Sequence, residues 1–181
     1  GTQITFMENI SMLAAKAIQD WPLYSGQECS TRYIDFSSQR FFNPYGSELG
    51  EMILEKWRSF YMKALPLTIE NLTRRYPKQD GESENDYTKA IKARAFDIVR
   101  GFIPAGSATS VSITMNLRQT RDHLMTLRHH PLPEVQKLAE AWEAALMTAY
   151  PHSFSQKRYT ETEEFNRLWM QNHYYYRGDS D

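Results

Sequence analysis

A short polar segment near the start of the chain carries three side chains that could bind an anionic ligand. If residues 25–33 are extended, Glu28, Ser30 and Arg32 alternate and point to the same side. A guanidinium forks onto phosphate, while a hydroxyl and a carboxylate can orient a polar ring. This row therefore fits a ligand with an anionic end and a polar ring. A solvated strand edge with a local Glu28–Arg32 pair is the alternative, and the residues alone leave both interpretations open.

A group of basic residues lies between residues 100 and 130. Arg100 ends a predicted helix, where a cation complements the helix dipole. The rest of the group occupies a later predicted helix and its exit: Arg118, Arg121, His123, Arg128, His129 and His130. The cluster could hold phosphate groups. It could equally be a solvated face, partly offset by Asp122.

Other reactive side chains indicate little chemistry. Cys29 is the only cysteine, which excludes an internal disulfide and a cysteine-based zinc cluster, and a lone cysteine usually serves packing. His129 and His130 have no carboxylate beside them at a metal-ligand spacing, so we expect no metal site. Tyr174–Tyr176 could stack on bases, but a tail that packs on a neighbour or stays loose is the simpler interpretation.

Composition indicates one soluble domain. The 181 residues include 21 Lys and Arg against 22 Asp and Glu, and the net charge of −1 excludes a basic protein that coats nucleic acid. Hydrophobic residues make up 41 %, enough for a core. The mean hydropathy is −0.63 and no apolar run is long, so we expect no membrane span and no signal peptide. A cytoplasmic protein is the expectation.

The elements that must position these residues are mostly helical. Weak alternation predicts a strand over residues 3–7, and residues 24–43 predict an extended or looped segment. Apolar spacing predicts helices over residues 10–19, 48–75, 87–99, 110–128, 134–149 and, for a short one, 161–170. Pro66 should kink or split the second helix. The pattern predicts an α+β protein, mostly helical with a minor strand component.

In this order, the polar segment and the basic residues resemble the flavin-dependent thymidylate synthase family, also called thymidylate synthase complementing protein. The family pattern S-x-x-E-x-S-x-R-Y stands complete from Ser25 to Tyr33. The family's R-x-x-x-P element is matched from Arg100 to Pro104, and its N-x-R element follows twelve residues later, from Asn116 to Arg118. A family helix that carries a His or Asn and ends in L-R is matched by His123 and Leu127-Arg128.

The resemblance implies an activity and its ligands. Family members make dTMP from dUMP, with methylenetetrahydrofolate as carbon donor and FAD, reduced by NADPH, as hydride source, in homotetramers with shared active sites. Carried over by position, the dUMP-binding residues are Glu28, Ser30, Thr31, Arg32 and Arg100. Arg128 would act at the pyrimidine, stabilising the negative charge that develops as C5 becomes nucleophilic. Asn116, Arg118 and His123 would contact flavin or folate.

The sequence departs from the family pattern in three places. The family's R-H-R triplet is replaced by Asp20-Trp21-Pro22, so a carboxylate stands where an arginine would face an anionic ligand. The helix after Asn116 is one residue longer than the family spacing, which places either Asp122 or His123 at the His/Asn position. The family's A-Q-x-E-I segment is not recognisable in residues 132–138.

The resemblance covers roughly residues 3–150, and we expect residues 1–150 to form a thymidylate synthase-like domain and residues 151–181 a C-terminal tail. The family has a strand-rich segment before the point where this chain begins, so we expect a piece of a longer protein or a natural short relative. Three functions stay open: the dTMP-forming enzyme, a non-catalytic nucleotide-binding or assembly domain, and a relative acting on another pyrimidine nucleotide. An unrelated helical bundle is the remaining interpretation.

Overall fold

The computed structural model describes residues 1–31, 34–154 and 157–173, with the backbone alone for residue 173. The predicted α+β class is confirmed, because helices predominate and the strands form a small sheet. The described strands are β1 (Thr2–Ser11), β2 (Ser25–Glu28) and β3 (Ala108–Asn116). The described α-helices are α1 (Met12–Gln19), α2 (Glu48–Arg75), α3 (Glu84–Val99), α4 (Leu117–Leu127), α5 (Pro133–Ala149) and α6 (Thr160–His173). Across these ranges no helix is both long enough and apolar enough to cross a bilayer.

The sheet has the order β1-β3-β2, with β3 in the middle. β2 pairs antiparallel with β3, so that Ser25 lies opposite Thr114 and Glu28 opposite Val111. All four residues of β2 are exposed, whereas β3 is largely buried. Glu28 therefore ends an edge strand and reaches solvent.

The helix predicted over residues 110–128 is wrong in its first part. The chain forms β3 as far as Asn116, and α4 begins only after it. The β-branched Val111 and Ile113 favour a strand, and burial along β3 alternates with the two-residue period of one. The Asn116 side chain accepts a hydrogen bond of 2.8 Å from the Gln119 N–H, which caps the helix and fixes its start.

Other boundaries differ from the prediction as well, among them that of α3, which begins at Glu84 rather than at residue 87, and the split expected at Pro66 is absent. β1 continues to Ser11, so α1 begins at Met12 rather than at residue 10. Pro66 lies inside α2 without splitting it. Its ring removes the N–H that would bond to the Met62 carbonyl, and because Met62 is 41 % exposed, water can satisfy that carbonyl. The helices predicted over 134–149 and 161–170 are confirmed as α5 and α6.

The chain forms two compact units, each with its own core. Unit 1 contains Gly1–Glu8, Leu13–Glu28 and the described residues from Ser110 onward. In it α4 contacts both α5 and α6. Unit 2 contains Asn9–Met12 and the described residues of Cys29–Thr109. In unit 2, α2 packs on α3 around two clusters of buried residues: Phe36, Tyr61, Phe96 and Val99, and Leu72, Ile91 and Ala95.

The predicted apolar face of α2 is mostly exposed. Tyr61 and Leu72 are its buried residues. Five others, named here the α2 stripe, are between 41 % and 60 % exposed: Leu49, Met52, Ile53, Trp57 and Phe60. Such a patch on a helix usually marks a surface that another molecule covers.

Arg58 of α2 fixes the segment that precedes the helix in unit 2. Its guanidinium donates to the backbone carbonyls of Phe36 and Gln39 and lies over the Phe41 ring, 4.2 Å from the centroid. Glu55 accepts from its Nε at 2.9 Å. One side chain thus holds three points of an irregular segment against α2.

Candidate functional site

The Arg128 guanidinium, predicted to act at a pyrimidine, is held by two carboxylates within unit 1. Arg128 caps the C-terminus of α4, and its side chain is 8 % exposed. Nη1 lies 2.8 Å from Oε1 of Glu143 on α5, and Nη2 lies 2.6 Å from Oε1 of Glu163 on α6. Two carboxylates of unit 1 therefore oppose the single positive charge of Arg128.

Two further basic residues extend this ion-pair cluster. Nε2 of His129 lies 2.7 Å from Oε2 of Glu163, and Nη2 of Arg158 lies 3.0 Å from Oε2 of Glu143. Both carboxylates thus use both oxygens. Burial raises the pKa of Glu163, but the hydrogen bond from His129 and the charge and hydrogen bond of Arg128 lower it more, so its pKa is below the ordinary 4.5.

A small polar cavity of about 30 Å³ borders this cluster. Its lining includes Arg121, Arg128, Glu143, Arg158 and Glu163. This volume suffices for about one or two water molecules. Arg128 Nε is buried and has no hydrogen-bond partner among the described residues.

His123, predicted to contact flavin or folate, lies in the core of unit 1. It is 2 % exposed, and its Nε2–H donates to the Ile18 carbonyl at 2.8 Å. The rings of Trp21 and Trp142 lie 4.7 and 6.3 Å from its ring, centroid to centroid. Burial lowers the pKa of His123 to about 4, against a weaker opposing effect of the Ile18 hydrogen bond, so the imidazole is neutral at pH 7.

The other two residues predicted to contact the cofactor lie in the open at the start of α4. Asn116 is exposed, with its carbonyl used as the helix cap. Arg118 is exposed and makes no hydrogen bond or ion pair with the described residues. An unpaired cation at a helix start fits an anionic group such as a flavin phosphate. Of the three residues predicted to contact the cofactor, His123 is thus enclosed in the core of unit 1, whereas Asn116 and Arg118 are exposed.

The residues predicted to bind a nucleotide are mostly exposed. Glu28, in unit 1, accepts a hydrogen bond of 3.0 Å from Nε2 of Gln19. In unit 2, Ser30 is exposed and Thr31 is half-buried. Arg100 begins a short 3-10 helix, and its side chain is 57 % exposed, with Nη1 3.5 Å from Asp97.

The expected alternation of Glu28, Ser30 and Arg32 is only partly observed. The strand ends at Glu28, and beyond it the Thr31 carbonyl accepts from the Ile34 N–H at 3.3 Å. Arg32 and Tyr33 lie outside the described residues. The structure therefore shows Glu28 at a strand end and Ser30 beyond it, not on one continuous strand.

Sequence reasoning missed the acidic partners of Arg128. Glu143 and Glu163 are 15 and 35 residues away from it, on different helices. The available signal was weak, since both acids lie on predicted helices but no local spacing links them to an arginine. No group of three His, Cys, Asp or Glu within the described ranges is arranged to hold a metal ion.

Comparison with known proteins gives the chain a family. A family model described as thymidylate synthase complementing protein matches residues 2–152. UPF0159 proteins of Chlamydia pneumoniae and Chlamydia muridarum are each 28 % identical over an alignment of 158 residues that covers 80 % of this chain. The chain spans 30 % of the length of these two relatives.

Two solved structures are similar to parts of the chain. Thymidylate synthase X of Helicobacter pylori, determined with FAD and dUMP, is 20 % identical, with a TM-score of 0.47 over 85 % of this chain and 71 % of that one. The UMP/dUMP methylase PolB of Streptomyces cacaoi, bound with 5-Br dUMP, is 17 % identical, with a TM-score of 0.47 over 84 % of this chain and 68 % of that one. On the family match over residues 2–152, the chain belongs to the thymidylate synthase complementing protein family.

Proposed function

We propose that the chain binds a pyrimidine nucleoside 5′-monophosphate, with dUMP as the first candidate, within a thymidylate synthase-type protein. The observation that supports this proposal is the difference in solvent exposure between two of the predicted site residues. The Arg100 side chain, predicted to bind the phosphate, is 57 % exposed, whereas His123, predicted to contact the cofactor, is 2 % exposed. Arg100 is therefore available to a ligand, whereas His123, one member of the predicted cofactor set, is not.

The reaction that we propose is the one that family membership suggests. dUMP becomes dTMP, methylenetetrahydrofolate supplies the carbon, and FAD reduced by NADPH supplies the hydride, in the cytoplasm. Of the predicted cofactor contacts, Asn116 and Arg118 could reach bound FAD, whereas His123 could not. Hydride transfer is therefore not assigned to any residue of this chain.

Each proposed nucleotide contact has a simple chemical role. Arg100 would bind the phosphate, because a phosphate dianion competes well with its long 3.5 Å contact to Asp97. Ser30 and Thr31 would donate hydroxyl hydrogen bonds, and Glu28 would accept from the sugar or base. Arg32 is proposed as the second phosphate ligand from the sequence alone. Arg128 would stabilise negative charge on the ring as C5 becomes nucleophilic.

Calorimetric titration with dUMP and with deoxyuridine tests this function. We expect dUMP to bind and deoxyuridine, which lacks the phosphate, to bind far more weakly. Arg100→Ala should weaken dUMP binding by about tenfold or more, since a charge-assisted hydrogen bond is lost. Arg94→Ala is the matched control, because Arg94 is another exposed arginine of unit 2, lying over the Tyr76 ring, 5.0 Å from its centroid. Equal dUMP affinity in the Arg100 and Arg94 variants would contradict the assignment.

A second candidate function is a non-catalytic nucleotide-binding or assembly domain. The packing of Trp21 on His123 and the two carboxylates on Arg128 favour it, because both occupy residues that catalysis would use. Turnover assays with dUMP, UMP and dCMP distinguish the candidates. Turnover of dUMP supports the thymidylate synthase reaction, and a preference for UMP or dCMP supports a relative with another substrate. No turnover on any nucleotide, with oligomerisation retained, supports the non-catalytic role.

We also propose that a second copy of the chain covers the α2 stripe in a homo-oligomer, with a tetramer as the form expected from the family. Acidic residues lie at the start of α2, namely Glu48 and Glu51, and basic residues lie at its end, namely Arg74 and Arg75. An antiparallel pair of α2 helices in full register would therefore place opposite charges together and lay each stripe against the C-terminal half of the partner's α2.

A further inference from the structure

We infer that α6 is a strap that closes the Arg128 site, and that Glu163 is the latch that holds it closed. One part of the inference rests on the proposed function, namely the identity of the ligand that would displace α6. The closure itself is argued from contacts within unit 1.

Glu163 joins α6 to the end of α4 through both of its oxygens. Oε1 accepts from Arg128 Nη2 at 2.6 Å, and Oε2 lies 2.7 Å from His129 Nε2. The next residue, Glu164, makes no hydrogen bond or ion pair to α4 within the described residues: its carboxylate pairs with Arg167 of the same helix, whose hydrogen bond lowers its pKa, and His129 lowers that pKa further only through charge. Glu163 therefore links α6 to the end of α4, whereas the ion pair of Glu164 lies within α6.

The closed site has no room for a nucleotide. The cavity beside Arg128 measures about 30 Å³ and is bordered on one side by Phe154, Arg158, Tyr159 and Glu163. Sites for small-molecule ligands commonly measure about 300–1,000 Å³. A pyrimidine can reach Arg128 only if the segment that carries Glu163 moves.

The strap is suited to movement because its apolar anchorage is slight. Met170 is the buried apolar residue of α6, while Phe165, Leu168 and Trp169 are between 45 % and 63 % exposed. An element held by few buried contacts and by ion pairs opens at lower free-energy cost than the core. α6 also lies beyond residue 152, where the family match ends, so this closure is an addition to the matched region.

A bound pyrimidine and Glu163 would compete for the same nitrogen atom, Nη2 of Arg128. Oε1 of Glu163, 2.6 Å from Arg128 Nη2, takes one of the two hydrogens of that nitrogen, so a pyrimidine oxygen that approaches along the same N–H must displace it. Without the Glu163 contact, Arg128 would keep the ion pair between its Nη1 and Glu143, and its Nη2 would be free to donate to a ligand. An arginine that stabilises negative charge on a pyrimidine ring needs such a free donor.

The test compares Glu163→Gln with Glu164→Gln in the full chain. Labelling of Arg128 by phenylglyoxal, read by peptide mass spectrometry, reports access to the guanidinium, and hydrogen exchange over residues 160–173 reports release of α6. We expect labelling of Arg128 to become about tenfold faster in Glu163→Gln, since a charge-assisted contact is lost. The Glu164→Gln variant should behave as the unmodified chain does.

Addition of dUMP separates the strap from the proposed function. If both hold, dUMP binds Glu163→Gln more tightly than the unmodified chain, and saturating dUMP speeds exchange of α6 in the unmodified chain. Unchanged labelling and exchange in Glu163→Gln would overturn the strap. Faster labelling without dUMP binding to any variant would support the strap and reject the proposed function. Weaker dUMP binding by Glu163→Gln, with α6 released, would overturn the competition, because Glu163 would then be a ligand contact.

Discussion

Trp21 lies against His123, with ring centroids 4.7 Å apart and the ring planes at 37°. Its indole Nε1–H donates to Gln119 Oε1 at 3.1 Å, on the same helix as the histidine. Trp21 is the middle residue of the Asp-Trp-Pro triplet that the resemblance aligns with the family's R-H-R. In the structure this residue is an apolar cover over a core histidine.

Removal of this cover should destabilise unit 1 and expose the imidazole. Trp21→Ala should lower the free energy of unfolding by about 2 kcal/mol, less than for a fully buried tryptophan, because Trp21 is half-buried. The pKa of His123 should rise from about 4 towards 6.5 as water reaches the ring. Urea unfolding and an NMR titration of the imidazole measure the two effects. Tyr45→Ala, at a residue that is 87 % exposed, is the control and should change neither.

Two buried histidines should make the fold sensitive to mild acid. Burial lowers the pKa values of His123 and His130 to about 4, while in the unfolded chain both take up protons near 6.5. Between these values the unfolded state binds more protons, so stability falls as the pH falls from 6.5 towards 4. The full loss is on the order of 3 kcal/mol per histidine.

Urea unfolding at several pH values between 6.5 and 5 checks this dependence, because carboxylates such as Glu163 contribute mainly below 4.5. His123→Gln should reduce the slope of stability against pH by roughly half, since one of the two histidines is removed. If the slope of stability against pH stays the same in this variant, His123 does not cause the pH dependence.

Local patterns predict part of this fold, and long-range contacts decide the rest. α2 and α5 could be predicted because their apolar residues repeat at helical spacing. β3 is predicted as helix because its polar and apolar residues lead directly into α4, but its β-branched residues favour the strand that forms. The partners of Arg128 could not be predicted, because the fold alone brings Glu143 and Glu163 to it.

Arg58 should be essential to the order of the segment before α2. Arg58→Ala removes donors to the carbonyls of Phe36 and Gln39 and the contact with the Phe41 ring, and we expect a loss of about 2–3 kcal/mol in stability. Arg58→Lys should recover only part, because an ammonium cannot make the same forked contact with two carbonyls. Denaturant unfolding measures the loss, and hydrogen exchange over residues 34–43 locates it. Full rescue by lysine would show that charge alone matters.

The α2 stripe should control self-association. Ile53 is 45 % exposed, and a glutamate there keeps the helix but would place an uncompensated carboxylate in any interface formed by the stripe. We expect Ile53→Glu to raise the dissociation constant of the oligomer by at least about tenfold, because burying an unpaired charge costs several kcal/mol. Light scattering after size exclusion, over a dilution series, measures this. Leu23→Glu is the control, since Leu23 is 63 % exposed and lies outside α2. A chain that is monomeric at every concentration would reject the proposed assembly, and equal effects of the two substitutions would place the interface elsewhere.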